Sequence, residues 1–226
     1  MEFDQIPYSF LIAVRVFLLI LFQPVFLQNK KLKTMTELNN YQKEELTINI
    51  AKANLFGILI LIPVGLVFGL PFYFLWRGEP STFDIISGLK LNFIWISLVV
   101  FVIGVIAHEL IHGIVWSIFA KRGFRSIKFG VVWKMLTPYC HCSEPLKVKH
   151  YIFGGITPAV ILGIIPAIVA LFTGSFALLI FGIVFTVAAS GDFLIVRLLW
   201  KENPNDFAED HPSEAGCFIY RKIKIT

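Results

Sequence analysis

Four apolar stretches, each long enough to cross a lipid bilayer, are the feature that most constrains how this chain folds. They cover residues 55–76, 93–120, 151–172 and 176–200. The hydrocarbon core of a bilayer is about 30 Å thick, and an α-helix needs about 20 apolar residues to cross it. Of the 226 residues, 57% are hydrophobic and 15% are charged, which is too apolar for a soluble domain of this size. We therefore expect an all-α polytopic membrane protein with four core transmembrane helices.

The residues before the first core span allow more than one interpretation. Residues 9–27 form a further apolar run without a positively charged start, which argues against a cleaved signal peptide. Residues 1–34 are therefore an extra, fifth span, an interfacial helix, or an extension upstream of a start at Met35. Residues 35–54 are polar and rich in helix-forming residues, and they predict a cytosolic lead-in helix.

The net charge of +5 belongs to the segments between the spans. Lysine and arginine are concentrated in residues 28–54 and 121–150, whereas residues 77–90 contain two such residues and residues 173–175 contain none. Positive charge between membrane spans marks the cytosolic side. We therefore expect the basic loops and the C-terminal tail, residues 201–226, to be cytosolic, and we do not expect nucleic-acid binding.

The segment between core helices 2 and 3, residues 121–150, contains no membrane-length apolar run. Within it, Ile127–Trp133 and Tyr139–Leu146 have the composition of short strands, interrupted by Pro138 and Pro145. This pattern predicts a small β-hairpin or a re-entrant loop that lies against the membrane face.

A H-E-x-x-H motif, His108 to His112, lies inside the second apolar run. On a helix, residues four apart lie on one face, so the two imidazoles can hold one cation between them. Glu109 lies on the same side and can take a proton from metal-bound water. The alternative is a chance match in which the histidines pair with neighbouring groups. A carboxylate beside two imidazoles in lipid costs several kcal/mol unless it is compensated, which favours the metal site.

A catalytic zinc has three protein ligands and an open position, so the motif lacks one ligand. Within the four core spans, the acidic residues are Glu109 and Asp192. His112 lies nine residues before Lys121, and Asp192 lies nine residues before Lys201. At a rise of 1.5 Å per residue, both lie roughly 13 Å from the cytosolic end of their helix. This matching depth favours Asp192 as the third ligand.

Other partners and ligands remain open at this stage. Asp192 is close enough in sequence to Arg197 to form an ion pair with it instead. In the loop, His141, Glu144 and His150 are alternative third ligands, although ordinary contacts at the membrane interface account for them as well.

With these residues identified, the chain resembles a family of bacterial membrane proteins, a domain of unknown function described as "putative zincin peptidases". That family is similar to the site-2 proteases, which are intramembrane zinc metalloproteases. The resemblance covers about residues 35–220, and it implies Zn2+ as cofactor and a location in the bacterial inner (cytoplasmic) membrane. It rests on the motif His108–His112, the stretch His141–Leu146, Pro158, the triplet Ser190–Asp192 and the tail segment Asp210–Gly216.

The resemblance to site-2 proteases is incomplete at two places. Site-2 proteases take their third ligand from an aspartate followed by glycine, whereas here Gly191 precedes Asp192. Their asparagine-proline motif has no counterpart, and Thr157 with Pro158 is the nearest match. Thr157 is therefore a secondary candidate for the site.

The function expected from these observations is that of a membrane-embedded zinc metalloprotease whose catalytic domain spans residues 55–200. His108, His112 and Asp192 hold the zinc, and Glu109 moves the proton of the attacking water. The substrate is a membrane protein or peptide, unwound and held by edge addition to the hairpin. Two alternatives are a non-proteolytic zinc-binding scaffold or sensor and a small proton- or metal-ion-conducting protein.

Overall fold

The computed structural model describes residues 40–78, 90–132, 137–211 and 215–223. The predicted N-terminal span or extension, residues 1–34, lies outside the described residues. Most of the described chain is helical. The helices are α1 (Ile50–Val64), α2 (Leu70–Trp76), α3 (Lys90–Phe119), α4 (Val148–Pro158), α5 (Ile165–Thr173), α6 (Phe176–Ala188) and α7 (Ser190–Leu199).

Three of the four predicted spans are continuous helices of membrane length, namely Leu55–Trp76, Ile94–Phe119 and Val148–Thr173. The fourth is a pair of helices, α6 and α7, bent by 45° at Ala189, so it counts as one span only if the bent pair crosses the membrane. The outward side chains of these helices are large and apolar. An apolar outer surface suits contact with lipid, and these helices indicate a membrane protein.

Two of the spans contain a widened helical turn followed by a proline. A π-helical turn, Gly65–Gly69, joins α1 to α2, and Pro71 occupies the first turn of α2. A second π-helical turn, Ala159–Ile164, joins α4 to α5, where Pro166 has the same position. Proline has no N–H to donate to the preceding turn, so the helical hydrogen bonding changes locally at these points.

A four-stranded antiparallel sheet joins segments from both ends of the described chain. Its strands are β1 (Tyr41–Thr47), β4 (Leu146–Lys147), β5 (Phe207–Asp210) and β6 (Gly216–Lys222), and they pair in the order β1-β6-β5-β4. The all-α prediction is therefore too narrow.

The predicted lead-in helix over residues 35–54 is wrong for Tyr41–Thr47. These residues form β1, which pairs with β6 from Tyr41 opposite Lys222 to Thr47 opposite Gly216. The local residues favour a helix only weakly, and the ladder of backbone hydrogen bonds to β6 outweighs that preference. Helix α1 begins only at Ile50.

The two strands predicted between core helices 2 and 3 correspond in part to β2 (Ile127–Val132) and β3 (Thr137–Cys142). The second strand was predicted to run from Tyr139 to Leu146, whereas β3 contains Pro138 and ends at Cys142, and Leu146 belongs to β4. They pair antiparallel, with Ile127 opposite Cys142, and residues 133–136, which connect them, lie outside the described residues. The pair packs on α3 at Gly113, where an added Cβ would lie 2.6 Å from the Phe129 ring. A side chain at position 113 would therefore push the strands away from the helix.

The main hydrophobic core lies where α3, α4 and α7 meet the two sheets. It contains Trp116 of α3, Tyr151 of α4 and Leu199 of α7. From the sheets it contains Cys142 of β3 and Ile219 of β6. The C-terminal strands therefore share one core with the membrane-length helices.

A side chain at Gly182 would disrupt the packing of α6 on α5. An added Cβ would lie 2.5 Å from the backbone nitrogen of Ala167 and 2.7 Å from the carbonyl oxygen of Gly163. We expect Gly182→Ala to reduce the free energy of unfolding by roughly 1–3 kcal/mol, because backbone cannot move aside cheaply. Thermal unfolding of the detergent-solubilised protein measures the effect. Gly65→Ala is the control, since none of the described residues packed around its helix places a heavy atom within 4 Å of the added Cβ; equal losses in both variants would contradict the packing argument.

Candidate metal centre

The two histidines of the motif lie one helical turn apart on α3, and both are buried. Their Nε2 atoms are 3.2 Å apart, and the rings meet edge to face with centroids 4.9 Å apart. The helix spacing that the sequence predicted therefore brings the two imidazole nitrogens to one point.

Asp192 completes a group of three at this point. Its Oδ2 lies 3.1 Å from His108 Nε2, and its Oδ1 lies 3.4 Å from His112 Nε2. The ligand atoms of the three residues all lie within 4.8 Å of one another. Asp192 is in the first turn of α7, directly after the bend at Ala189, so the bend determines where its carboxylate lies.

Hydrogen bonding determines which nitrogen of His112 faces the group. His112 Nδ1 lies 2.9 Å from the carbonyl oxygen of Gly154 on α4. A carbonyl only accepts hydrogen bonds, so Nδ1 carries the hydrogen and Nε2 offers a lone pair. Gly154 allows this approach, because a Cβ there would lie 2.2 Å from the indole of Trp116. Such a second bond to carbonyl or carboxylate is what metal-binding histidines commonly have.

Stacked aromatic rings hold His112 from the other side. The indole of Trp116 stacks on the His112 ring at 5.0 Å, and the Tyr151 ring stacks on Trp116 at 5.2 Å. Trp116 Nε1 donates to the carbonyl oxygen of Tyr151 at 3.1 Å. The ring of His112 therefore has little freedom to rotate away from the group.

Two imidazole nitrogens and a carboxylate are a donor set that zinc commonly takes. Bonds of 2.0–2.1 Å at tetrahedral angles place neighbouring ligand atoms about 3.3 Å apart. The two imidazole nitrogens, 3.2 Å apart, are close to that value. Each of them lies 3.1–3.4 Å from a different oxygen of the Asp192 carboxylate, and one ligand atom from each residue lies within 4.8 Å of the other two. Three protein ligands leave a fourth position open, so His108, His112 and Asp192 fit a zinc site of the catalytic type.

Glu109 lies beside the group without belonging to it. It is one turn before Gly113 on the face of α3 that meets the hairpin, and the backbone amide of Cys140 on β3 is directed at its carboxylate. Its side chain is half-buried, and its charge interacts with both histidines and with Asp192. Its carboxylate is thus available for proton transfer next to the ligands.

The four further residues considered from the sequence, His141, Glu144, His150 and Thr157, lie outside the ligand group, and the His150 ring stacks on Phe119. Glu144 accepts from the Arg122 side chain and, at 2.8 Å, from the backbone amide of Lys121, which holds the loop to the end of α3. Burial by itself would raise the pKa of Glu144, but the hydrogen bonds from Arg122 lower it overall. His141 lies 3.6 Å from Asp210, and Thr157 donates to the Phe153 carbonyl of its own helix at 2.6 Å.

The alternative partner of Asp192 is not the one observed. Its carboxylate faces the two histidines, and the described residues show no ion pair between it and Arg197. Sequence reasoning did not identify Trp116 and Gly154, which hold His112 in place. Trp116 lies four residues after His112 on the same face of α3, and that spacing was the available signal.

The sequence of this chain matches one known protein family. Residues 100–207 match the family described as "Putative zincin peptidase". This match confirms the predicted resemblance, and the segment contains the motif and Asp192. Zinc is the metal that it implies. No curated protein and no solved structure matches the chain.

Zinc content of purified variants tests the ligand set directly. We expect about one zinc per chain in the wild type and loss of zinc in His112→Ala and Asp192→Ala, because each removes one of the three ligands. Glu109→Gln and Glu144→Gln are the controls and should keep their zinc, since neither side chain belongs to the group. Inductively coupled plasma mass spectrometry measures the ratio. Zinc retained in Asp192→Ala would show that the third ligand lies elsewhere.

Proposed function

We propose that this protein is a membrane-embedded zinc metallopeptidase similar to the site-2 proteases. The observation that carries the proposal is the convergence of His108, His112 and Asp192 beside Glu109 within membrane-length apolar helices. Ionisable groups are costly at this depth, so their presence there is most simply explained by a shared catalytic metal. The match to a family described as zincin peptidases supports the same reaction class.

Each residue of the site has its own role in the proposed peptide hydrolysis. Bound zinc would supply a water molecule with a pKa near 7 and would polarise the peptide carbonyl. Glu109 takes the proton from the attacking water and later delivers it to the leaving amine. His112 keeps its Nε2 lone pair on the site because its Nδ1–H is held by the Gly154 carbonyl. Closure of the site by apolar helices strengthens each of these electrostatic contacts.

A helical substrate has to unwind before its carbonyl is accessible, and an extended peptide can pair with a strand edge. On the outer edge of β3, Pro138 has no amide hydrogen, the Cys140 amide is directed at Glu109, and the Cys142 amide donates to Asp210. On β2, the amides of Phe129 and Val131 face away from β3, and the described residues offer them no partner. We therefore assign strand addition to the outer edge of β2.

The orientation in the bacterial inner membrane follows from the arrangement of charged ends. Strands β1 and β4 lead into α1 and α4, β5 follows α7, and the β2–β3 pair follows α3. Because one sheet joins β1, β4 and β5, these helix ends lie on one side of the molecule. The described lysines and arginines of residues 121–150 follow α3 on that side, and we infer that it is cytosolic.

Glu109→Gln tests the assigned proton transfer. The amide cannot accept the proton from water, so we expect kcat for peptide cleavage to fall by roughly 10²–10⁴-fold while zinc stays bound. Cleavage of a fluorogenic peptide or of a transmembrane substrate in proteoliposomes measures this. Glu144→Gln is the matched control and should keep most of the activity. Wild-type protein that binds zinc and cleaves nothing would instead support the scaffold or sensor.

Val131→Pro tests strand addition to β2. Proline removes an outward amide, and it removes no bond of the β2–β3 ladder because Val131 lies opposite Pro138. We expect KM to rise roughly two- to tenfold, the value of one net hydrogen bond, with kcat nearly unchanged. Val131→Ala keeps the amide and should leave KM near the wild-type value. Steady-state kinetics on an extended peptide distinguishes the two, and equal KM values would exclude pairing at this edge.

A further inference from the structure

A further carboxylate, that of the partly buried Asp210, lies outside the ligand group. Asp210 ends β5, and its Oδ2 accepts from the backbone amide of Cys142 at 2.7 Å. Its other oxygen accepts from the hydroxyl of Tyr151 on α4, and His141 Nδ1 lies 3.6 Å from Oδ2. One carboxylate of the C-terminal segment therefore contacts both β3 and α4.

The contact with β3 leads to Glu109. Outward amides alternate along a strand edge, and those of Cys140 and Cys142 are two residues apart on the same edge of β3. The Cys142 amide is fixed by Asp210, and the Cys140 amide is directed at Glu109. By fixing this edge, Asp210 determines where the amide that meets Glu109 lies.

The contact with α4 leads to His112. Asp210 fixes the hydroxyl of Tyr151, the Tyr151 ring stacks on Trp116, and Trp116 stacks on His112. The same carboxylate therefore supports the candidate base through β3 and a candidate zinc ligand through two stacked rings.

The neighbouring residue shows what a carboxylate in this strand does without these contacts. Glu209, likewise on β5, is buried and also accepts a hydrogen bond from a tyrosine hydroxyl, that of Tyr220 on β6, at 2.6 Å. Its hydrogen bond stays within the four-stranded sheet. Burial raises the pKa of Asp210, and the His141 charge and the bonds from Tyr151 and Cys142 offset part of that rise. The chain thus keeps a partly buried carboxylate, which is costly unless hydrogen-bonded, at the point where it joins the two supports of the site.

We propose that Asp210 is a positioning residue of the site: through the edge of β3 and through Tyr151 it fixes Glu109 and His112 relative to each other. The C-terminal strands are then part of the catalytic apparatus. This inference rests on the proposed peptidase function.

The first experiment compares Asp210→Ala with Glu209→Ala in the full-length protein. We expect kcat to fall about tenfold or more in Asp210→Ala, as is typical when a residue behind a metal site is removed. KM should stay within about twofold of the wild-type value. Glu209→Ala should show a similar loss of thermal stability with kcat preserved. Asp210→Asn should recover much of kcat, because its carboxamide can accept from the Cys142 amide and donate to the Tyr151 oxygen.

A milder pair of variants covers the case in which Asp210→Ala does not fold. Tyr151→Phe removes only the hydroxyl that donates a hydrogen bond to Asp210, and Tyr220→Phe removes the hydroxyl that donates to Glu209. We expect kcat to fall in Tyr151→Phe and not in Tyr220→Phe. Equal kcat within each pair, Asp210→Ala with Glu209→Ala and Tyr151→Phe with Tyr220→Phe, would overturn the positioning role. A loss of activity in Asp210→Ala that is accounted for by lost zinc or by a raised KM would overturn it as well.

Cobalt(II) substitution separates this inference from the proposed function. The visible absorption bands of bound cobalt report on ligand geometry and need no turnover. We expect a changed spectrum in Asp210→Ala and Tyr151→Phe and wild-type spectra in Glu209→Ala and Tyr220→Phe. If the wild type binds metal but cleaves no peptide, the peptidase proposal fails, and the spectra still decide whether Asp210 positions His112. Identical spectra in all variants would overturn the inference.

Discussion

The contact of the partly buried Asp192 carboxylate with two imidazoles, among apolar helices, is the interaction on which the rest of the structure depends. A carboxylate among apolar helices is costly unless it is paired, and the His108 and His112 nitrogens that face Asp192 offer a place for a cation that balances its charge. The bend at Ala189 and the Gly154 carbonyl both position the groups that meet here. The bend brings the carboxylate to α3, and the carbonyl fixes the hydrogen of His112 on the nitrogen that faces away.

Close approach of backbones makes this arrangement possible. Gly113 lets the hairpin pack closely on α3, Gly154 lets α4 pack closely on α3, and Gly182 lets α6 pack closely on α5. Helices in lipid associate through close packing because lipid gives no hydrophobic force between them. Small residues therefore act here as contact points, and the large apolar side chains face outward.

The sheets show how a mostly helical membrane protein includes distant segments in its site. Strands β1 and β6 come from opposite ends of the described chain, and β5 places Asp210 against β3. Local sequence predicted a helix for β1, because residue preference carries no information about a partner about 175 residues away. The apolar and aromatic composition of Cys217–Tyr220, by contrast, is typical of a strand, and these residues lie within β6.

The sequence by itself determined the membrane-length apolar runs, the strands that follow core helix 2, and the pair of histidines on one helix face, since each depends on short-range periodicity. It narrowed the third ligand to Asp192 by depth but left His141 and Glu144 open. Among the described residues, only the tertiary structure shows that Asp192 lies beside the two histidines, whereas Glu144 pairs with Arg122 and His141 lies near Asp210 through contacts between segments. It alone also revealed the bend at Ala189 and the aromatic stack on His112. Such contacts depend on how helices and strands pack in three dimensions, which the spacing of residues along one segment does not record.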